Sequence, residues 1–145
     1  EAVNFTVKHD DGQSAQDLAE ADIVLVGVSR TSKTPLSMYL AGKGYKVANI
    51  PLVEGLEPPA QLFQINQERI VGLTVDVQQL INIRTSRMRN MRQLSRSPYN
   101  EYDTVESELV FSKRLYRSNP KWMVVDMTNK AIEEAAAEIM KKFQK

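Results

Sequence analysis

The chain has 145 residues, of which 42% are hydrophobic and 26% charged, and its formal net charge is +1. These values fit one globular domain, and the small net charge does not favour nucleic acid as a partner. The chain contains no cysteine, which excludes disulfides, zinc–thiolate sites and a cysteine nucleophile within it and agrees with a cytoplasmic location. No apolar run approaches the ~20 residues that a membrane-spanning helix needs, so no membrane association is expected.

The first half of the chain predicts strands that alternate with helices. In chain order, we expect an edge strand at 3–7, a turn at 9–13, a short helix at 14–20 capped by Ser14, a buried strand at 22–28, a helix at 33–43 and a strand at 45–53. The edge strand follows from the alternating pattern of VNFTV. The continuous apolar run DIVLVGV is typical of a strand that is covered on both faces of a parallel sheet.

The second half continues this alternation. We expect a short helix at 58–65, a strand at 69–75, a helix at 76–92, a loop at 93–100, a helix at 102–117, a strand at 121–127 and a helix at 129–144. The pattern predicts an α/β fold, a three-layer sandwich with a mainly parallel sheet between two layers of helices. Ligands of such folds bind beyond the carboxyl ends of the strands, which is where we expect the chemistry.

A phosphate-binding loop is predicted between the strand at 22–28 and the helix at 33–43, which makes the fold P-loop kinase-like. The Walker A spacing GxxxxGK[ST] is matched by Gly27, Val28, Ser29, Arg30, Thr31, Ser32, Lys33 and Thr34. Main-chain N–H groups at a helix N-terminus bind phosphate, the lysine meets the β-phosphate and the hydroxyl reaches magnesium. Ser32 replaces the second glycine, at a position that favours a positive φ or a close approach of backbone to phosphate. The alternative is a helix N-terminus that binds no ligand.

The stretch ADIVLVGVSRTSKTPLSMYLAGKGYKVANIPLV resembles the bacterial pyruvate, phosphate dikinase regulatory proteins, which belong with the phosphoenolpyruvate synthase regulatory proteins. The likeness extends to KHDDGQ at 8–13, IVGLT at 70–74, LINIRTSRM at 80–88 and VVDMTNKAIEE at 124–134. The Thr31-Ser32 pair points to the dikinase branch. The resemblance implies that residues 1–145 form a single P-loop nucleotide-binding kinase domain, the C-terminal part of a longer protein.

The resemblance also implies a function that the spacing alone does not show. Such proteins are bifunctional serine/threonine kinases and phosphorylases that use ADP to phosphorylate a threonine of the dikinase, which inactivates it. They remove the phosphate again with inorganic phosphate and release pyrophosphate. ADP is then the bound nucleotide, Lys33 neutralises its β-phosphate and Thr34 coordinates Mg²⁺. The sequence leaves a homo-oligomer open.

The segment His9-Asp10-Asp11 is a second candidate site. A carboxylate here could accept the proton of the attacking threonine hydroxyl, and we prefer Asp11 to Asp10 as the base or as an orienting group. The alternative is a solvated Asp-Asp-Gly turn. His9 is expected to be a hydrogen-bonded turn residue, and the chain has no second histidine with which it could form a zinc site.

A cluster of arginines with no acidic residue between them follows the third predicted strand. It consists of Arg84, Arg87, Arg89, Arg92 and Arg96. Arg84 and Arg87 can share a helix face and stabilise the charge that develops in phosphoryl transfer, and they match the family's IRxxR pattern. The alternative is a solvated basic face, or a contact with an acidic partner or RNA.

Asp126 ends the fourth predicted strand, as a Walker B aspartate would, and it could hold magnesium through water. The alternative is that Asp126 caps the helix predicted from residue 129. For Asp76, too, both a role in the site and helix capping are open.

Two other functions also stay open. One is a small-molecule P-loop kinase of the shikimate or adenylate type, and the other is a nucleotide-binding or RNA-binding module without catalysis.

Overall fold

The computed structural model describes residues 2–9, 15–90 and 98–143, without the side chains of 15–17, 85–90 and 98–101. Within these ranges the chain forms a parallel sheet of four strands in the order β2-β1-β3-β4. The strands are β1 (Ile23–Gly27), β2 (Val47–Pro51), β3 (Ile70–Thr74) and β4 (Met123–Asp126). The predicted α/β fold with a mainly parallel sheet is confirmed.

Helices pack on both sides of this sheet. They are α1 (Ala2–Lys8), α2 (Lys33–Gly42), α3 (Val77–Asn90), α4 (Pro98–Ser118) and α5 (Ile132–Lys142), with 3₁₀ helices at Ala15–Glu20, Ala60–Phe63 and Gln67–Arg69. Helices α1, α2 and α5 pack together on one side, while α3 and α4 pack on the other. This is the three-layer arrangement that the sequence predicts. In the described part of the chain, no helix combines the length and the apolar character needed to cross a membrane.

The two central strands are completely buried, as the continuous apolar run predicts for β1. Every residue of β1 and of β3 is buried. Each fully buried Val, Leu or Ile side chain contributes roughly 1.5–3 kcal/mol. The edge strand β4 is covered less evenly, with Val124 47% exposed and Val125 buried. The predicted phosphate loop therefore follows a strand, β1, that is fully buried in the core.

The segment predicted as an edge strand is helix α1, so that prediction is wrong. The Thr6 hydroxyl donates to the Ala2 carbonyl at 2.8 Å and accepts the Val47 N–H at 3.1 Å. The Asn49 N–H donates to the carbonyl of His9 at 3.2 Å. The outer edge of β2 thus finds hydrogen-bond partners in a helix side chain and in the residue that follows the helix. These tertiary contacts outweigh the β-propensity of a short β-branched segment.

Helix α4 begins earlier than predicted. The structure places residues 98–100 in the helix and not in a loop, whereas the rest of the predicted loop, 93–97, lies outside the described residues. Pro98 is the first residue of α4. A proline is tolerated there because the first N–H groups of a helix have no intrahelical partner. The predicted cap Ser14 and most of the predicted turn at 9–13 also lie outside the described residues.

Tyr116 of α4 is anchored where β1 and β3 separate. The pairing of the two strands ends with Val26 opposite Gly72. The Tyr116 hydroxyl is 2.8 Å from the Leu73 carbonyl and 3.2 Å from the Val26 carbonyl, so it joins both strands at this point. Burial raises the pKa of this hydroxyl far above its ordinary value of 10.0. These hydrogen bonds hold the end of β1, where the following loop begins, in a fixed position.

Candidate phosphate-binding site

The predicted phosphate loop joins β1 to α2 and folds back onto the carbonyl of Val28. Thr31 Oγ1 donates to this oxygen at 2.7 Å, and Lys33 Nζ donates to it at 3.0 Å. Thr31 is 1% exposed and Lys33 6% exposed. The ammonium group is therefore held at the base of the loop, beside the first turn of α2. The N–H groups of that turn and the ammonium charge both attract anions.

Gly27 is the last residue of β1, and the loop leaves no room for a side chain there. A Cβ atom at this position would lie 2.8 Å from Thr31 Oγ1 and 3.4 Å from the Leu73 carbonyl oxygen. The first distance is shorter than a van der Waals contact allows. Gly27 is thus required by the close packing of Thr31 against the end of the strand.

Two loop residues that are not glycine adopt left-handed backbone conformations. Arg30 has φ 68° and Ser32, the residue before α2, has φ 70°. Of the two reasons why this position usually carries glycine, a positive φ is the one that the structure shows. Left-handed residues within a loop turn neighbouring N–H groups toward one side, which is the geometry of anion-binding nests. The loop therefore shares a backbone feature of such nests although it lacks the second glycine, and the binding of phosphate by it stays a prediction.

Replacing Ser32 by glycine should relieve strain. The left-handed conformation costs a residue with a Cβ about 1–2 kcal/mol, and the greater freedom of glycine in the unfolded chain offsets part of the gain. We expect Ser32→Gly to raise the free energy of unfolding by roughly 0.5–1 kcal/mol, measured by urea denaturation. The matched control is Ser37→Gly inside α2, which should lower the same quantity by about 1 kcal/mol or more. A loss of stability in Ser32→Gly would contradict the assignment of strain to position 32.

A pocket of about 330 Å³ opens beside the loop. The residues that line it are Ser29, Arg30, Ser32, Lys33, Thr34, Pro35 and Ile83. The other loop residues, Gly27, Val28 and Thr31, are buried behind this surface. Small-molecule sites have volumes of roughly 300–1,000 Å³, so the pocket is large enough for a small ligand. Thr34 is exposed on its wall, where a hydroxyl could reach a metal ion bound to phosphate.

Arg84 of α3 contacts the phosphate loop directly. Its Nη2 atom is 3.0 Å from both the carbonyl oxygen and the Oγ atom of Ser29. The same guanidinium forms a bidentate ion pair with Glu108 of α4, at 2.8 and 3.1 Å. The side chain of Arg87, the second predicted arginine, lies outside the described residues, as do Arg92 and Arg96. Arg84 is therefore a candidate site residue that the fold brings to the loop.

Glu108 has no place in the functional predictions from sequence. It is the last residue of the acidic run NEYDTVESE at 100–108, which by its pattern suits the start of a helix, whereas in the structure Glu108 lies in the middle of α4. Its contact with Arg84 joins residues 24 positions apart. Nothing in the local pattern distinguishes Glu108 from its acidic neighbours, and only the packing of α3 against α4 selects it.

Asp126 and Asp76 both order turns at the carboxyl edge of the sheet. The Thr128 hydroxyl and N–H donate to Asp126 Oδ1 at 2.6 and 3.0 Å, and these bonds hold the pKa of Asp126 below its ordinary value of 3.8. Asp76 precedes α3, and its Oδ2 atom accepts the Gln79 N–H at 3.2 Å, so the capping alternative holds for Asp76. Asp126 orders a turn ahead of α5, which begins at residue 132.

The described residues contain no group of three or more His, Cys, Asp or Glu side chains that could hold a metal ion. Magnesium often keeps several waters and takes one or two protein ligands together with substrate phosphates. The binding of magnesium by Thr34 and Asp126 therefore stays a prediction.

His9 is the hydrogen-bonded turn residue that the sequence predicts. Its Nδ1–H donates to the Phe5 carbonyl at 2.8 Å, and the two rings stack with their centroids 3.9 Å apart. The side chain is buried. Asp10 and Asp11 follow it along the chain and lie outside the described residues. The role of Asp11 as base stays a prediction.

Comparison with known proteins places this site within a family. The model of a family described as kinase/pyrophosphorylase matches residues 1–140. The chain belongs to the kinase/pyrophosphorylase family. The candidate loop, Arg84, Glu108 and Asp126 all lie inside the part that the kinase/pyrophosphorylase model matches.

Curated relatives agree with this assignment. Proteins from Geotalea daltonii, Pelobacter propionicus and Geobacter sulfurreducens are 62%, 63% and 58% identical to the chain. Each alignment covers 99% of this chain and 54%, 51% and 53% of the respective relative, so the chain spans about half the length of these proteins. All three are provisionally named pyruvate, phosphate dikinase regulatory proteins. The resemblance seen in the sequence is confirmed.

Proposed function

We propose that this chain is the nucleotide-binding kinase domain of a cytoplasmic enzyme that inactivates and reactivates pyruvate, phosphate dikinase. In one direction, the β-phosphoryl group of ADP passes to a threonine hydroxyl of the dikinase and AMP leaves. In the other, inorganic phosphate takes the phosphoryl group from the phosphothreonine, which regenerates the hydroxyl and releases pyrophosphate. The family description and the names of the relatives support this pair of reactions and this target.

The position of Lys33 carries the proposal. Its Nζ atom lies at the base of the loop, 3.0 Å from the Val28 carbonyl, and Lys33 is also the first residue of α2. The N-terminus of a helix has a positive potential equivalent to about half an elementary charge. A buried ammonium and a helix terminus at one point suit the β-phosphate of a nucleoside diphosphate, the group that ADP would donate.

Other side chains would complete the site. Thr34 lines the pocket beside Lys33, and Asp126 lies two strands away at the same edge of the sheet, so Thr34 would ligate magnesium directly and Asp126 through water. Magnesium, when bound, would neutralise charge on the phosphate oxygens. Arg87 would stabilise the charge of the transferred group, Arg84 would act on the site through its contact with Ser29 of the loop, and Asp11 would accept the proton of the threonine hydroxyl.

Labelled ADP tests the proposal. The intact protein is incubated with the dikinase and with ADP labelled in either the α- or the β-phosphate. We expect label on a dikinase threonine from β-labelled ADP only, and pyrophosphate when the phosphorylated dikinase then receives inorganic phosphate. A dikinase with that threonine replaced by valine is the control. Transfer from ATP to a small metabolite would indicate a small-molecule kinase, and nucleotide binding without transfer would indicate a binding module.

A further inference from the structure

The peptide group between Ser29 and Arg30 is held from outside the phosphate loop. Arg84 Nη2 donates to the Ser29 carbonyl, and the same nitrogen donates to the Ser29 hydroxyl. This peptide bond is trans and planar, so the Arg30 N–H points to the side opposite the Ser29 carbonyl and away from Arg84. Arg30 lines the pocket. The position of the guanidinium thus sets the direction of one main-chain donor of the loop.

Glu108 in turn fixes the guanidinium. Its two carboxylate oxygens accept from Nη1 and Nη2 of Arg84, and the side chains of Arg84 and Glu108 are 16% and 20% exposed. A pair in which both oxygens meet both outer nitrogens fixes orientation as well as charge. The buried Nε atom of Arg84 has no hydrogen-bond partner among the described residues. The orientation of Arg84 therefore rests on its contacts with Glu108 and Ser29.

We propose that Glu108 is a positioning residue of the phosphate site. It acts through Arg84, which holds the Ser29 carbonyl outward and leaves the Arg30 N–H ready to donate to a phosphate oxygen. Glu108 itself does not touch the phosphate, because its carboxylate is engaged by the guanidinium. The inference rests on the proposed function in that it takes a diphosphate as the ligand of the loop.

The test combines binding with a direct report on the peptide group. The intact protein, labelled with ¹⁵N-arginine, is prepared as the wild type, Glu108→Ala, Glu108→Gln and Arg84→Met. In both Glu108→Ala and Arg84→Met we expect the Arg30 amide resonance to shift. We also expect the affinity for pyrophosphate, measured by calorimetry, to fall about tenfold or more, the scale of a charge-assisted hydrogen-bonded pair. Glu108→Gln keeps one acceptor oxygen, so its affinity for pyrophosphate should lie between those of the wild type and Glu108→Ala.

Two controls separate positioning from general stability. Glu106→Gln removes an exposed charge from the same helix and should change neither the resonance nor the affinity. Adding Glu108→Ala to Arg84→Met should weaken pyrophosphate binding no further, because Glu108 acts through Arg84. An additional loss of affinity in the double variant, or an unchanged Arg30 resonance and affinity in Glu108→Ala, would overturn the inference.

The inference and the proposed function can fail separately. If the wild type does not bind pyrophosphate, the proposed function is wrong, and the Arg30 resonance still decides whether Glu108 orients the loop. If the wild type binds pyrophosphate and Glu108→Ala binds it equally well, the proposed function stands and the role of Glu108 is rejected.

Discussion

The Lys33→Ala variant is expected to lose phosphoryl transfer while it keeps the fold. Removing one group that stabilises developing charge commonly lowers the rate about 10²–10³-fold, and we expect a loss of at least this size in both the kinase and the phosphorylase directions. The affinity for ADP should fall as well, because the same ammonium group meets the diphosphate in the ground state. Transfer of β-label to the dikinase and calorimetry with ADP measure the two effects.

The stability of Lys33→Ala separates a lost site from a lost fold. Burying the ammonium group carries a desolvation cost, and alanine has a high helix propensity at the first position of α2. The free energy of unfolding should therefore change by no more than about 1 kcal/mol. Lys43→Ala, at the other end of α2 where the lysine is exposed, is the matched control and should retain full transfer. Retained activity in Lys33→Ala would reject this loop as the donor site.

The sequence predicts well whatever depends on neighbours along the chain. The apolar run of β1 indicates a strand that is buried on both faces, and β1 is buried throughout, as is its neighbour β3. The loop from Gly27 to Thr34 is also local, since its turn, its lysine and the first residues of the following helix are eight consecutive residues. The positive φ at Ser32 is one of the two reasons why the same local pattern usually has glycine at this position.

Predictions fail or stop where contacts between distant residues decide the structure. The pattern at 3–7 fits a strand as well as a helix, and the choice depends on the hydrogen bond between Thr6 and Val47, 41 positions apart. The contact of Arg84 with Ser29 joins residues 55 positions apart. A sequence pattern can indicate that an arginine suits phosphate. It cannot show which acidic residue holds that arginine.

Gly72 of β3 is a second position whose role depends on a contact with a distant residue, and here the contact has a large effect on stability. Within IVGLT, Gly72 weakens the apolar pattern of a strand, and nothing nearby explains its presence. In the structure it faces the ring of Tyr116, and a Cβ atom at position 72 would lie 2.6 Å from Tyr116 Cε1 and 2.7 Å from Cζ. The absence of a side chain at Gly72 makes room for the tyrosine that joins β1 to β3.

Replacing Gly72 by alanine should therefore destabilise the protein strongly. The ring cannot easily move aside, because its hydroxyl is bonded to the Val26 and Leu73 carbonyls and because Trp122 packs beside it at a centroid distance of 6.2 Å. Overpacking of a core site costs typically about 1–3 kcal/mol, and displacement of the buried hydroxyl adds about 1–3 kcal/mol. We expect a total loss near 3 kcal/mol, seen as a lower urea midpoint with an unchanged slope. Gly42→Ala is the matched control and should lose no stability, because beyond its chain neighbours and its own helix backbone no atom of the described residues lies within 4 Å of the new methyl group.

A double-mutant cycle identifies the cause of this loss. Tyr116→Leu removes the ring and hydroxyl and is itself destabilising, but it leaves space for a methyl group at position 72. If the collision with the ring causes the loss, Gly72→Ala in the Tyr116→Leu background should cost at least about 1–2 kcal/mol less than in the wild type. An equal cost in both backgrounds would show that the strand requires glycine for a reason unrelated to Tyr116.

Because Gly72 is paired with Val26, one residue before the loop begins, Gly72→Ala should also weaken ADP binding, whereas Gly42→Ala should not.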